Sequence, residues 1–194
     1  MALTTYTAGE VLTAASLNDN FTFAAANPTG GLTLITTATF SAAAAVSLPV
    51  STFTSTYDNY RIVFVATAFS AEDSLTMRMR VSGTDNTTAN YEYSIIGYTV
   101  GGTLNGIQSS GQTAAVIGYG LTTGVGLGMD IYNPQATERT RFTMTSFGKS
   151  AATSVASPLS GGGSFAATTS FDALSFISGA NMTGRYAVYG YNNT

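Results

Sequence analysis

Residues 74–81 read SLTMRMRV, with Leu75, Met77, Met79 and Val81 alternating with Thr76, Arg78 and Arg80. A period of two places successive side chains on opposite faces of an extended chain, so this stretch reads as a strand with one face buried and one face wet. Upstream, NYRIVFVATAF (59–69) is apolar with few breaks and predicts a strand buried on both faces. The AFSAEDS stretch (68–74) between them reads as a turn. Downstream, in RTRFTMTSF (139–147), Phe142 and Met144 oppose Arg141, Thr143 and Thr145, the same alternation again.

Further short runs of this kind are LTLITTATF (32–40), YEYSIIGYTV (91–100), TAAVIGYG (113–120), VGLGMDIYN (125–133), SFAATTSF (164–171), ALSFISG (173–179) and GRYAVYGY (184–191). Runs recurring every ~8–12 residues with Gly, Asn, Ser and Pro between them indicate an antiparallel sandwich or barrel. The expected fold is therefore all-β, an antiparallel, jelly-roll-like β-sandwich over residues 31–194. Two glycine-rich stretches, GGTLNG (101–106) and SGGGS (160–164), read as long hairpin loops. Neither opens a helix as a dinucleotide fingerprint does, so neither is a phosphate cradle.

Residues 1–30 follow a different pattern. Thr13 is placed to cap a helix N-terminus, its hydroxyl accepting from the Ser16 amide. Leu12 and Leu17 have the spacing of a hydrophobic staple, and Ser16 stands where a capping box wants Glu or Gln. Leu17, Phe21 and Ala25 then fall at i, i+4 and i+8 in one narrow apolar stripe. Asn27-Pro28 and the following glycines end the segment. A helix of about 13 residues is marginal alone in water. The stripe needs something to pack on, either its own domain or neighbouring copies in a small bundle.

Composition narrows the function. Of the 194 residues only 9% are charged, while Ser and Thr make up about a quarter; an average domain carries about 25% charged residues. Such a surface lacks the usual defence against association and suggests flanks covered by partners. The formal net charge of −3 offers no basic field for nucleic acid or an anionic membrane. The amino terminus lacks the basic and apolar regions of a secretory signal, and no apolar run reaches bilayer-spanning length, so a soluble chain without membrane insertion is expected.

With no Cys and no His, disulfides, thiolate or imidazole metal sites, and Ser-His-Asp chemistry are absent. Lys149, the one lysine, lies in no setting that suggests desolvation. Carboxylate pairs of the glycosidase type remain, but no two acids lie at i, i+2 on one strand face. Asp85 and Asn86 supply oxygen ligands without EF-hand spacing and read as an Asx-turn. No cofactor and no metal are expected. Of the 11 Tyr, the cluster Tyr91, Tyr93 and Tyr98 is the candidate for glycan contact, against the plainer role of cross-strand packing.

The stretch TAGEVLTAASLNDNF (7–21) resembles a segment near the start of tail-fibre and related appendage proteins of tailed bacteriophages. The matching positions are Gly9, Val11, Leu12, Thr13, Ala14, Ala15, Leu17, Asn18 and Phe21. The stretch at 57–91 and the ending TGRYAVYGY are similar to a β-sandwich module of phage fibre and head-appendage proteins. The resemblance implies a non-enzymatic homotrimer in the virion. Residues 1–30, with Val11, Leu12, Leu17, Phe21 and Ala25 at the interface, would serve trimerisation and attachment to other virion proteins of tail or capsid. A short tail fibre or receptor-binding fibre reaching a host-surface glycan is the leading expectation; a capsid decoration or head-fibre protein is the alternative, and a glycan-cleaving tailspike is a lesser one.

Overall fold

The computed structural model describes residues 5–9, 11, 13–26, 31–98, 102–149 and 156–192. Among the described residues one helix, α1 (Ala14–Ala26), precedes eleven strands: β1 (Leu32–Ser47), β2 (Asn59–Phe69), β3 (Asp73–Val81), β4 (Thr84–Asp85), β5 (Tyr91–Tyr98), β6 (Leu104–Gln112), β7 (Ala115–Gly120), β8 (Val125–Tyr132), β9 (Arg141–Lys149), β10 (Ala156–Phe165) and β11 (Ala173–Tyr191). The fold is all-β and antiparallel with one short helix, as the strand patterning predicts.

All the strands belong to a single sheet that curls into two facing layers. Its path runs β4-β3-β11-β2-β8-β9-β10-β5-β6, with β7 added beside β3 and β1 beside β11. The strand that joins the layers is β11. Residues 182–190 pair with β2, residues 173–177 pair with β3, and β1 follows β11 from Leu32↔Tyr191 to Ser47↔Ser175. The β1–β11 register shifts three times, and Ala42 takes a positive φ of 48° there. Leu75, Met77, Met79 and Ile117 from one layer and Ile62, Phe64, Met129, Phe142 and Met144 from the other enclose one core.

The passage of β11 between layers is fixed at Ser178–Asn181. The Asp73 carboxylate accepts from the Gly179 amide at 2.6 Å, from the Ser178 hydroxyl at 3.3 Å and from the Ser74 amide at 2.7 Å. Ser70 and Asn181 close the other side, the Ser70 amide donating to the Asn181 carbonyl and the Asn181 amide to the Ser70 hydroxyl, both at 2.9 Å. A Cβ on residue 179 would stand 2.5 Å from the Asp73 carboxylate, so a side chain there would displace the carboxylate from its bond to the residue 179 amide.

Several elements differ from their sequence reading. ALSFISG and GRYAVYGY are one 19-residue strand, because the SGAN turn signal between them bends the strand without ending it. SGGGS is no loop: Gly161–Gly163 pair with β9 on one side and β5 on the other. Cβ atoms at Gly161 and Gly163 would lie 2.2 Å and 2.1 Å from the carbonyl oxygens of Ser94 and Glu92, so the glycines are required by close strand approach. Residues 104–106 likewise open β6, while Gly101 lies outside the described residues.

SFAATTSF is extended only to Phe165. Beyond it the Ala166 and Phe171 amides bond to the loop carbonyls of Asn90 and Pro134. NYRIVFVATAF is buried on one face only, Tyr60, Ile62, Phe64 and Ala66 pointing inward while Val63 is 40% exposed. Val81 also turns outward, where β3 passes into the β4 turn.

Replacing Asp73 with Ala leaves two backbone amides without their charged acceptor, and such bonds are worth about 1.5–3 kcal/mol each. The expected outcome for Asp73→Ala is a loss of about 2–3 kcal/mol in unfolding free energy, read from the shift of the urea midpoint at constant slope.

Candidate functional site

The helix forms as its sequence predicts. The Ser16 amide donates to the Thr13 hydroxyl at 3.2 Å, and the Leu17 amide to the Thr13 carbonyl at 3.1 Å. In place of a capping-box carboxylate, the Ser16 hydroxyl donates to the Thr13 carbonyl at 3.1 Å. The apolar positions that follow are left in water: Leu17 is 42% exposed, Phe21 65% and, just upstream, Val11 82%. Leu12, the side chain of Ala25 and the helix stop at 27–30 lie outside the described residues.

The three candidate tyrosines of β5 do not share a surface. Tyr91 is wholly buried. Its hydroxyl donates to the Asn86 carbonyl and accepts from the Met79 amide, both at 2.9 Å, tying β5 to β3 across the core. Tyr93 is half-buried against the core, and Tyr98 is exposed on the opposite face. The signal for this was present in the sequence. Positions 91 and 98 are an odd number of residues apart, and odd separation on a strand means opposite faces. Tyr91 therefore cannot touch a glycan, and the three side chains do not form one contact site.

The carboxylates are engaged in structure. Asp130 meets Arg61 at 2.7 Å, Asp85 meets Arg80 at 3.1 Å and Glu92 meets Arg139 at 3.1 Å. Asp85 also accepts from the Ser175 hydroxyl at 2.7 Å, and Asp172 from the Ser82 amide at 3.0 Å. Asn86 forms the expected Asx-turn, its side-chain oxygen accepting from the Thr88 amide at 2.9 Å. Among the described residues, no three acids gather into a metal-binding group.

A cluster whose members are scattered in the sequence lies on the outer face of the larger layer. There Tyr189, Arg61, Asp130 and Thr143 stand side by side across four strands. The Tyr191 hydroxyl donates to Asp130 at 2.7 Å, and Tyr132 and Thr143 share a hydrogen bond at 3.0 Å. Burial first, then the Asp130 carboxylate, push the Tyr191 hydroxyl above its ordinary pKa. The group combines aromatic faces with fixed donors and acceptors, the chemistry of polar recognition at a surface.

Burial pushes the Tyr91 hydroxyl up to about 12, opposed by its backbone hydrogen bond to Met79 and by the Arg78 charge. The unfolded chain loses this proton near 10 and the folded chain does not, so the stabilisation is complete below pH 10 and is lost as pH rises toward 12. Tyr91→Phe is expected to lower stability at neutral pH by about 1–3 kcal/mol, because the Met79 amide loses its acceptor. It should also flatten the alkaline fall, as denaturant titrations at pH 8, 10 and 11.5 would show. No protein-family model, no curated protein and no solved structure matches this chain.

Proposed function

We propose that this protein is a non-enzymatic, homotrimeric appendage of a tailed-bacteriophage virion, a short tail fibre or receptor-binding fibre whose residues 1–30 trimerise and attach it. The observation that carries the reading is the exposure of Leu17 and Phe21 on a helix of 13 residues. A helix this short gains most of its stability from packing. Full burial of each such side chain is worth about 1.5–3 kcal/mol. Threefold symmetry supplies that burial from identical stripes and needs no second gene product.

Three further features support the reading. The stretch at 7–21 resembles the opening of phage fibre proteins. The low charge content suits flanks that copies cover for one another. Asp130, Asp85 and Glu92 are each held by an arginine, as structural carboxylates are.

The full chain is expected to elute with the mass of a trimer, three times 20.0 kDa, in light-scattering chromatography. Leu17→Asp with Phe21→Asp should give a monomer whose circular dichroism remains that of a β protein. Removing residues 1–30 should abolish incorporation into particles. A stable monomer of the full chain, or incorporation without residues 1–30, overturns the reading. Label found on the head in electron micrographs would replace tail mounting with capsid decoration.

A further inference from the structure

The outer face of the larger layer has a charge balance opposite to that of the whole chain. Across β1, β11, β2, β8 and β9 the sequence contains one acid, Asp130, whereas the outward positions of these strands include Arg61, Arg141 and Arg185. Asp130 is occupied by Arg61 and Tyr191. Arg185 is exposed and forms no ion pair among the described residues. A chain of net charge −3 thus presents one cationic surface.

That surface also has a shape. Thr39, Arg185, Val65, Gly126 and Phe147 stand in one row across five paired strands. Around Arg185 and Val65 lies an open cleft of about 510 Å³, walled by hydroxyls including those of Thr39 and Thr67. The next position in the row is Gly126, where an added Cβ would meet nothing within 4 Å, so the surface beside the cleft is open over bare backbone. At Gly128, one step along β8, a Cβ would lie 2.9 Å from the Arg61 guanidinium, which overhangs the same floor. Phe147, 58% exposed, closes the row on β9.

We propose that this trough binds a carboxylated saccharide. A guanidinium recognises a carboxylate through two parallel hydrogen bonds, and Arg185 has no carboxylate of its own. The apolar face of a sugar ring packs on an aromatic ring such as Phe147, and threonine hydroxyls serve as donor or acceptor to ring hydroxyls. Two or three cations set among hydroxyls are too sparse for a nucleic acid, which carries a phosphate at every nucleotide. Along the trough floor a peptide strand finds no free edge, because β11, β2, β8 and β9 are paired on both sides there, and the open margin of β1 lies only at the outer end of the row. The inference goes beyond the virion reading and is tested on the isolated protein, so either can fail without the other.

The probes are galacturonate trimer and sialyllactose, with maltotriose and lactose as uncharged counterparts and a 15-nucleotide oligo-dT as the anionic competitor, measured by calorimetry and by NMR titration at 50 mM salt. At least one carboxylated sugar is expected to bind at least tenfold more tightly than its uncharged counterpart. Arg185→Gln should remove that tenfold preference, Phe147→Ala should weaken binding of both sugars, and Gly126→Val should block the trough with the fold intact. Arg78→Gln, on β3 of the other layer, should change nothing. The proposal is overturned if neither carboxylated sugar binds, if Arg185→Gln and Gly126→Val bind as the native chain does, or if oligo-dT binds more tightly than the sugars.

Discussion

The bonds from the Asp73 carboxylate to the backbone around Gly179 hold the corner on which the two-layered sheet depends. Because β11 serves both layers, β2 and β3 are placed relative to each other by one continuous backbone, and the core can close between them. The cost is kinetic. Thr33 and Asn192, joined by a hydrogen bond at 3.0 Å, are 159 residues apart. Loop closure of that length must precede the contacts that reward it, so folding is expected to be slow for a domain of this size. The spine strand also follows the other ten described strands in sequence, so the sheet cannot be completed until all of them are available.

Much of the fold was legible in the sequence because period-two alternation is a local property. Leu75, Met77 and Met79 point inward as read, and so do Phe142 and Met144. What escaped the reading was set by distant neighbours. Gly161 and Gly163 look like a loop until the carbonyls of Ser94 and Glu92 are seen against them. The β6 strand, LNGIQSSGQ, carries a single inward-type aliphatic, Ile107, and so has no alternation to display. The apolar run of β2 predicts a strand covered on both faces, since composition alone cannot say that Val63 faces solvent.

The candidate surfaces divide in the same way. The exposed helix stripe could be read directly, because Leu17 and Phe21 are four residues apart on one element. The trough could not, because Thr39, Arg185, Val65, Gly126 and Phe147 come from five strands that only cross-strand pairing brings into one row. Tyr91 is the converse case: proximity in sequence groups it with Tyr98, although strand parity separates them and burial gives its hydroxyl a structural task.

The irregular pairing of β1 has a consequence of its own. Among the described residues this 16-residue strand is bonded to β11 on one side only, so its other margin is a row of backbone groups on which a foreign strand could template. Lysines and other charged gatekeepers commonly block such growth, but this segment contains none. Its register breaks after Leu34, Phe40 and Ala43 divide the margin into pieces too short and too differently twisted to zip up as one. A hydroxyl- and alanine-rich rail is thereby kept from seeding fibrils by geometry where most proteins would use charge.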